Sequence, residues 1–275
     1  MAHDINRFKI LFTDLDGTLL DDQKQISEKN RKAIDRALSI GHKIVITTGR
    51  PLCSAQKLSK ELGLTKNGCY AIAFNGGIIY DCFEKKTIFE QTLLHEDVRR
   101  LFDEAKKVGI HAQTYSDTCV LAEKPNQDFD RYASVIAISK KVVPDVLSEL
   151  KTKRPAKVLM IADHERLEQF RLSTLSWRSG KIDAIFSCPN YLEFIPQGVS
   201  KGNAVQTLCR FLNLSLSSSI AVGDAENDIS MIQTAHIGAV MKNASDTMKT
   251  YGNYVTSFDN NHSAIAEIIE TFMLC

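Results

Sequence analysis

Short apolar runs alternate with amphipathic stretches along most of this sequence, and that alternation leaves few architectures open. Lys9–Thr13, Lys43–Thr47 and Tyr70–Phe74 have the length and composition of buried strands. Between them, about Ser27–Ile40 and Leu52–Leu62 read as helices, with Ala33, Ile34, Ala37 and Leu38 on one face of the first. The resulting βαβαβ order predicts a parallel sheet, because parallel neighbours need a crossover of this kind. The fold class is α/β.

From about Cys82 to Pro189 the rhythm changes. Strands are expected at 86–91, 110–115, 118–122, 135–139, 156–161, 182–187 and 191–195, and helices at 96–108, 144–151 and 164–176. Ser116 and Asp117 separate two of these strands as a hairpin turn does, which a purely parallel sheet does not supply. An inserted α+β module follows. After Pro196 the first rhythm resumes: helix 201–213, strand 219–222, helix 228–235, strand 237–241, helix 245–250, strand 254–256 and helix 262–273. The expected organisation is a discontinuous core, 1–82 plus 190–275, around an insert at 83–189. Pro189 and Asn190 are turn formers at the return crossing.

A chain of 275 residues suffices for one large or two modest domains. Its 34 Lys and Arg against 33 Asp and Glu give no global charge that would favour nucleic acid or membrane. The opening MAHDINRFKILF interleaves charge with apolar groups, and no uncharged stretch reaches the ~18 residues of a membrane helix. Cysteines 53, 69, 82, 119, 188, 209 and 275 are odd in number and lack a C-x-x-C pair, as reduced thiols of a cytoplasmic protein would be. Cys275 is the last residue rather than fourth from the end, so a prenylation box is not expected.

Four segments carry chemistry. FTDLDGTLL, residues 12–20, follows an apolar strand, so Asp14 and Asp16 can project into one crevice at the strand's C-terminal end. Two carboxylates this close call for a cation or a shared proton, and Mg²⁺ is the hard, oxygen-seeking ion that suits them. Asp and Gly also serve as turn formers here. A calcium loop would need its glycine at the sixth position, whereas Gly17 is fourth from Asp14. GDAENDISMI, residues 223–232, sets Asp224, Glu226 and Asp228 at a helix start, where Asn227 or Asp228 can also cap. KIVITTGRP, residues 43–51, offers a threonine hydroxyl and backbone N–H groups to a phosphoryl oxygen, or simply an N-cap. VSKGNAV, residues 199–205, puts Lys201 at a helix N-terminus, a place for a cation only if it serves an anion. Together these suit phosphoryl transfer.

In this order, D-L-D-G-T-L, T-G-R, S-K-G and G-D-x-x-N-D, the sequence resembles the haloacid dehalogenase-like phosphohydrolases over its whole length. It is most similar to their Cof-type branch (subfamily IIB, sugar-phosphatase-like). The resemblance implies a doubly wound, Rossmann-like parallel-sheet core with an inserted α+β cap of the C2 type. It implies Asp14 as a nucleophile forming an aspartyl-phosphate, and Asp16 as general acid and base, its backbone carbonyl a metal ligand. Asp224 would be the third Mg²⁺ ligand and Asp228 the carboxylate orienting metal-bound water. Thr48, Gly49, Lys201, the Leu15 N–H and Asn227 would grip the phosphoryl group, and Thr18 would support the turn after Asp16. Ala225-Glu226 stands where relatives often carry glycine. The implied activity is hydrolysis of small phosphorylated metabolites, sugar phosphates foremost. A phosphomutase or a non-catalytic phosphate and metal sensor are the alternatives.

Asn75-Gly76-Gly77, after the third strand, could present a donor to the site or form a turn into the insert, and the frequency of N-G in turns favours the turn. Leu172, Leu175 and Trp177 read as core. His111, Tyr115, Arg131 and Tyr132 lie in the insert within possible reach of a leaving group. Arg99, Arg100, Lys106 and Lys107, interleaved with Asp97, Asp103 and Glu104, read as a solvated helix face.

Overall fold

The computed structural model describes residues 8–274; the start of the charge-interleaved N-terminal stretch and Cys275 lie outside the described residues. The chain begins with β1 (Ile10–Thr13), α1 (Glu28–Ser39), β2 (Lys43–Thr47), α2 (Leu52–Glu61), β3 (Cys69–Ala73), β4 (Ile78–Asp81) and β5 (Lys86–Glu90). It continues through α3 (His95–Lys107), β6 (His111–Tyr115), β7 (Cys119–Ala122), α4 (Gln127–Val135), β8 (Ser139–Val142), α5 (Val146–Leu150), β9 (Val158–Ile161), α6 (His164–Ser173), α7 (Leu175–Arg178), β10 (Ile182–Cys188) and β11 (Tyr191–Pro196). It ends with α8 (Lys201–Phe211), β12 (Ser219–Gly223), α9 (Ile229–Thr234), β13 (Ile237–Val240), α10 (Asp246–Lys249), β14 (Tyr254–Val255) and α11 (Ala264–Phe272).

Two compact units result. The first comprises the chain up to Gly49, Ala55–Phe89 and Ser200 onward; the second comprises Arg50–Ser54 and Glu90–Val199. The first unit holds an eight-stranded sheet in the order β14-β13-β12-β1-β2-β3-β4-β5. From β14 to β3 the neighbours are parallel, and β4 turns back antiparallel on β3. The chain leaves β1 toward β2 and β3 on one side and returns on the other through β12. The crevice between β1 and β12 is therefore a topological switch point, where sheets of this class bind ligands.

Ile10, Leu11 and Phe12 are fully buried. Burying side chains of this size stabilises the fold by ~1.5–3 kcal/mol each, which fixes β1 at the centre. Around it pack Val45, Ile72, Ala221 and, from α8, Val205 and Leu208. Ser27 caps α1 by accepting from Asn30 N at 3.2 Å, and Asn30 Oδ1 accepts from Ala266 N at 2.8 Å, tying α1 to α11.

The second unit is an α+β module with a six-stranded sheet in the order β10-β11-β9-β6-β7-β8. Its neighbours are antiparallel except for β7 and β8. The expected hairpin at Ser116 is β6–β7, with Ser116 N donating to Cys119 O at 2.9 Å. Val98, Leu101 and Phe102 of α3 pack with Met160, Leu192 and Phe194 of the sheet.

Several expectations give way. The units divide after Phe89 and Val199 rather than near Cys82 and Pro189, because β4 and β5 extend the first sheet and β11 pairs with β10 and β9. No strand forms at 135–139; α4 runs to Val135 and the strand β8 starts at Ser139. The apolar run at Val135–Ile138 mimics a strand, but Asn126 caps α4 through Asp128 N, at 2.6 Å. Leu172 and Leu175 are exposed, at 55% and 47%, because the helix breaks at Thr174 and its apolar face does not continue. Trp177 packs against the unit's core as expected. Asp97 is not solvated: it is buried and bonded to Lys181 at 2.7 Å.

Candidate active site

Asp14 stands one residue beyond β1, its N–H donating to Val222 O of β12 at 3.0 Å. This bond carries the β1–β12 ladder past the strand end and fixes the carboxylate at the mouth of the crevice. Asp224 stands one residue beyond β12, and Lys201 opens α8, whose N-cap Ser200 accepts from Asn203 N at 3.1 Å. Asp228 closes the 3₁₀ turn Glu226–Asp228. Four residues from three remote segments thus meet at one sheet edge.

Lys201 is at the centre. Its ammonium donates to Asp14 Oδ1 at 2.6 Å and to Asp228 Oδ1 at 2.5 Å, with the lysine side chain fully buried. Asp228 Oδ2 accepts from the backbone N–H groups of Asp224 and Ala225 at 3.0 and 3.1 Å. Both Asp228 oxygens therefore hold partners in place. Thr18, also buried, donates its hydroxyl to Asp224 Oδ1 at 2.7 Å, so it orients an acid rather than only the turn. Gly17 permits the approach: its φ is +80°, and a Cβ there would meet Asp224 Oδ2 at 2.6 Å. Asn243 donates to Gly17 O at 2.8 Å from beyond β13.

The electrostatics follow from this crowding. Burial pushes the Asp14 carboxyl up to about 8, Lys201 opposes it, and Asp228 and Asp224 add to the rise. Burial likewise raises Asp224. Burial pulls the Lys201 ammonium down, but the Asp14 and Asp228 carboxylates more than reverse this and hold it above its ordinary range. Asp14, Asp224 and Asp228 each offer an oxygen, all within 4.8 Å of one another. Three carboxyl groups around one ammonium gather hard oxygen donors in one buried place, which fits a divalent cation that would displace the Asp14 proton. The Asp16 carboxylate is not in that group; it is bonded to Lys24 at 2.8 Å.

Thr48 follows β2, its N–H donating to Ile72 O at 2.8 Å and its carbonyl accepting from Asn75 N at 3.0 Å. Asn75 Oδ1 accepts from Asn227 Nδ2 at 3.2 Å, and a Cβ on Gly49 would meet that same Oδ1 at 3.0 Å. Asn75 thus joins the Thr48–Gly49 turn to the Asn227 turn, a role its sequence did not distinguish from an ordinary N-G turn. Its φ of 55° and that of Gly76, 113°, bend the chain so that Gly76 abuts Ser200 O, where a Cβ would come within 2.3 Å. Leu15 is buried, and its carbonyl accepts from Thr18 N at 3.4 Å and Leu20 N at 2.9 Å. In the second unit, Tyr115 and Tyr132 are buried with their hydroxyls bonded at 2.6 Å.

A switch-point crevice lined by acids and a buried lysine defines an α/β hydrolase of the phosphoryl-handling kind. The family model for haloacid dehalogenase-like hydrolases matches residues 11–269, and the chain belongs to that family. It is similar to a haloacid dehalogenase-like hydrolase structure from Bacteroides thetaiotaomicron, at 30% identity and TM-score 0.88 over 96% of this chain and 99% of that one. The Bacillus subtilis 5-amino-6-(5-phospho-D-ribitylamino)uracil phosphatase YcsE is 29% identical over 97% of this chain and 96% of its own. The subclass IIB sugar phosphatase BT4131 shares the fold, with a TM-score of 0.79 over 97% and 100% of the two chains at 22% identity. The chain is a phosphoric monoester hydrolase of this family. Among the described residues, no helix is long and apolar enough to cross a membrane.

Proposed function

We propose that the protein hydrolyses small phosphorylated metabolites, sugar or polyol phosphates, with Mg²⁺ and through a phosphoryl group carried on Asp14. The observation that carries the reading is Lys201 bonded at once to Asp14 and Asp228, beside Asp224. Asp14, Asp224 and the Asp16 carbonyl would hold Mg²⁺, which supplies charge neutralisation on the phosphoryl oxygens. Asp14 attacks phosphorus as the bond to the leaving oxygen breaks, and Asp16 gives that oxygen a proton. Asp16 then takes a proton from water as its oxygen displaces Asp14, releasing inorganic phosphate. Lys201, Thr48 and the N–H groups of Leu15 and Gly49, with Asn227, hold the equatorial oxygens. Asp228 keeps Lys201 and the Asp224 loop in register.

The relative named for a phosphoribitylamino compound, and the neighbour named a sugar phosphatase, support a polyhydroxylated leaving group. The six free cysteines among the described residues are in keeping with a cytoplasmic setting. Purified protein incubated with Mg²⁺ and a panel of hexose, pentose and polyol phosphates should release inorganic phosphate, and Asp14→Asn should release none while keeping its far-UV circular dichroism. Isomerised sugar phosphate without free phosphate would instead identify a phosphomutase. Wild-type turnover by Asp14→Asn would remove the nucleophile assignment.

A further inference from the structure

Lys24 occupies a backbone conformation that its side chain does not favour. Its φ is 61°, in the left-handed region where glycine or asparagine is the ordinary occupant. The turn does not depend on that side chain. Asp21 N donates to Gln25 O at 2.9 Å, Lys24 N to Asp21 O at 3.0 Å, and Asp21 Oδ1 accepts from Gln23 N and Gln25 N at 2.9 and 2.8 Å. The Lys24 ammonium instead reaches back to Asp16 Oδ1 at 2.8 Å. With the two side chains 59% and 38% exposed, the pair contributes little to folding. Its consequence is where it leaves the Asp16 carboxylate.

That placement matters because of what lies beside it. Asp14, Asp224 and Asp228 bring oxygens within 4.8 Å of one another, and Asp16, two residues from Asp14, is the adjacent carboxylate not in the group. A hard divalent cation recruits such an oxygen when it can reach one. A carboxylate so recruited is lost to proton transfer.

We infer that Lys24 is a positioning residue that keeps the Asp16 carboxyl group apart from the metal-binding acids and so reserves it for the leaving oxygen. The inference rests on the phosphatase reading above for the step it serves. In that step the Asp16 proton passes to the leaving oxygen as that oxygen parts from phosphorus and Asp14 bonds to it. The same carboxylate recovers a proton from the attacking water.

The test compares two leaving groups and a metal titration. p-Nitrophenolate leaves with little protonation, whereas the alkoxide of glycerol 3-phosphate needs it. Lys24→Met should lower the ratio of kcat/KM for glycerol 3-phosphate to that for p-nitrophenyl phosphate by about fivefold, a size in keeping with one exposed ion pair. Lys24→Arg, which keeps the cation, should restore the ratio. Lys24→Gly should lose it like Lys24→Met while melting no lower than wild type, since the left-handed position is then relieved. By calorimetry on the full chain, Lys24→Met should bind Mg²⁺ several-fold more tightly, and Asp16→Asn in that background should cancel the gain. Equal loss on both substrates, an unchanged ratio, or a gain in Mg²⁺ affinity that survives Asp16→Asn would each overturn the inference. If wild type releases phosphate from neither of these two esters nor from any member of the sugar and polyol phosphate panel, the phosphatase reading fails, and the metal titration still decides the position of Asp16.

Discussion

The Lys201 ammonium lies 2.6 Å from the Asp14 carboxylate although 187 positions separate the two residues. Only the return of the chain through α8 and β12 brings them together, so the contact reports the completed fold. Lys201→Met should therefore leave Asp14 and Asp228 buried without their cation, at a cost of about 3–5 kcal/mol. A urea unfolding curve of the metal-free protein checks this. Lys201→Arg should not rescue it, because a planar guanidinium does not fit a space shaped around one ammonium.

Asp14 gives the metal-free protein a particular pH dependence. Its folded carboxyl holds a proton up to about 8, against 3.8 ordinarily, so between those values the folded state binds more protons than the unfolded chain. The contribution is complete below about 3.8 and is lost as pH rises toward about 8. Asp224 shifts in the same direction. Lys201, also raised, keeps its contribution until the pH passes its ordinary 10.5, above this window. The melting temperature in EDTA should fall by ~5 °C or more between about pH 5 and pH 8. Asp14→Asn should flatten that fall. An identical slope in the variant would assign it to other groups.

Much of this was legible in the sequence for a physical reason. β1, β2 and β12 are buried throughout or nearly so, and short apolar runs between amphipathic helices encode their order and their parallel pairing. Asp14, Asp224 and Lys201 could be read because each directly follows a strand or opens a helix. Thr18 and Asn75 could not be read in the same way, since their partners, Asp224 and Asn227, lie 206 and 152 positions away. Turn chemistry explains an N-G pair fully until a distant amide is known to touch it. The Val135–Ile138 run misled because β-branched residues near a helix end look like a strand when the cap, Asn126, is overlooked.

Asn75 separates a backbone role from a side-chain one. Asn75→Gly keeps the positive φ, whereas Asn75→Ala also imposes a left-handed residue with a Cβ, at roughly 1–2 kcal/mol. The Gly variant should unfold near the wild-type midpoint and the Ala variant below it. Both should lose about tenfold in kcat/KM toward a phosphate ester, because both remove the carboxamide between Gly49 and Asn227. If Asn75→Gly retained full activity, the residue would be a turn former only.

Mg²⁺ should stabilise the protein by mass action, by ~2.7 kcal/mol when present at about a hundred times its Kd. Asp224→Asn should remove that gain, since it takes one carboxylate from the group of three. Thr18→Val is the finer test. It deletes the hydroxyl that holds Asp224 Oδ1 at 2.7 Å while keeping the buried volume nearly constant. The variant should stay folded and bind Mg²⁺ about tenfold more weakly, as loss of a supporting hydrogen bond to a ligand does. Unchanged affinity in Thr18→Val would mean that Asp224 is held without it, and unchanged affinity in Asp224→Asn would remove that residue from the metal site.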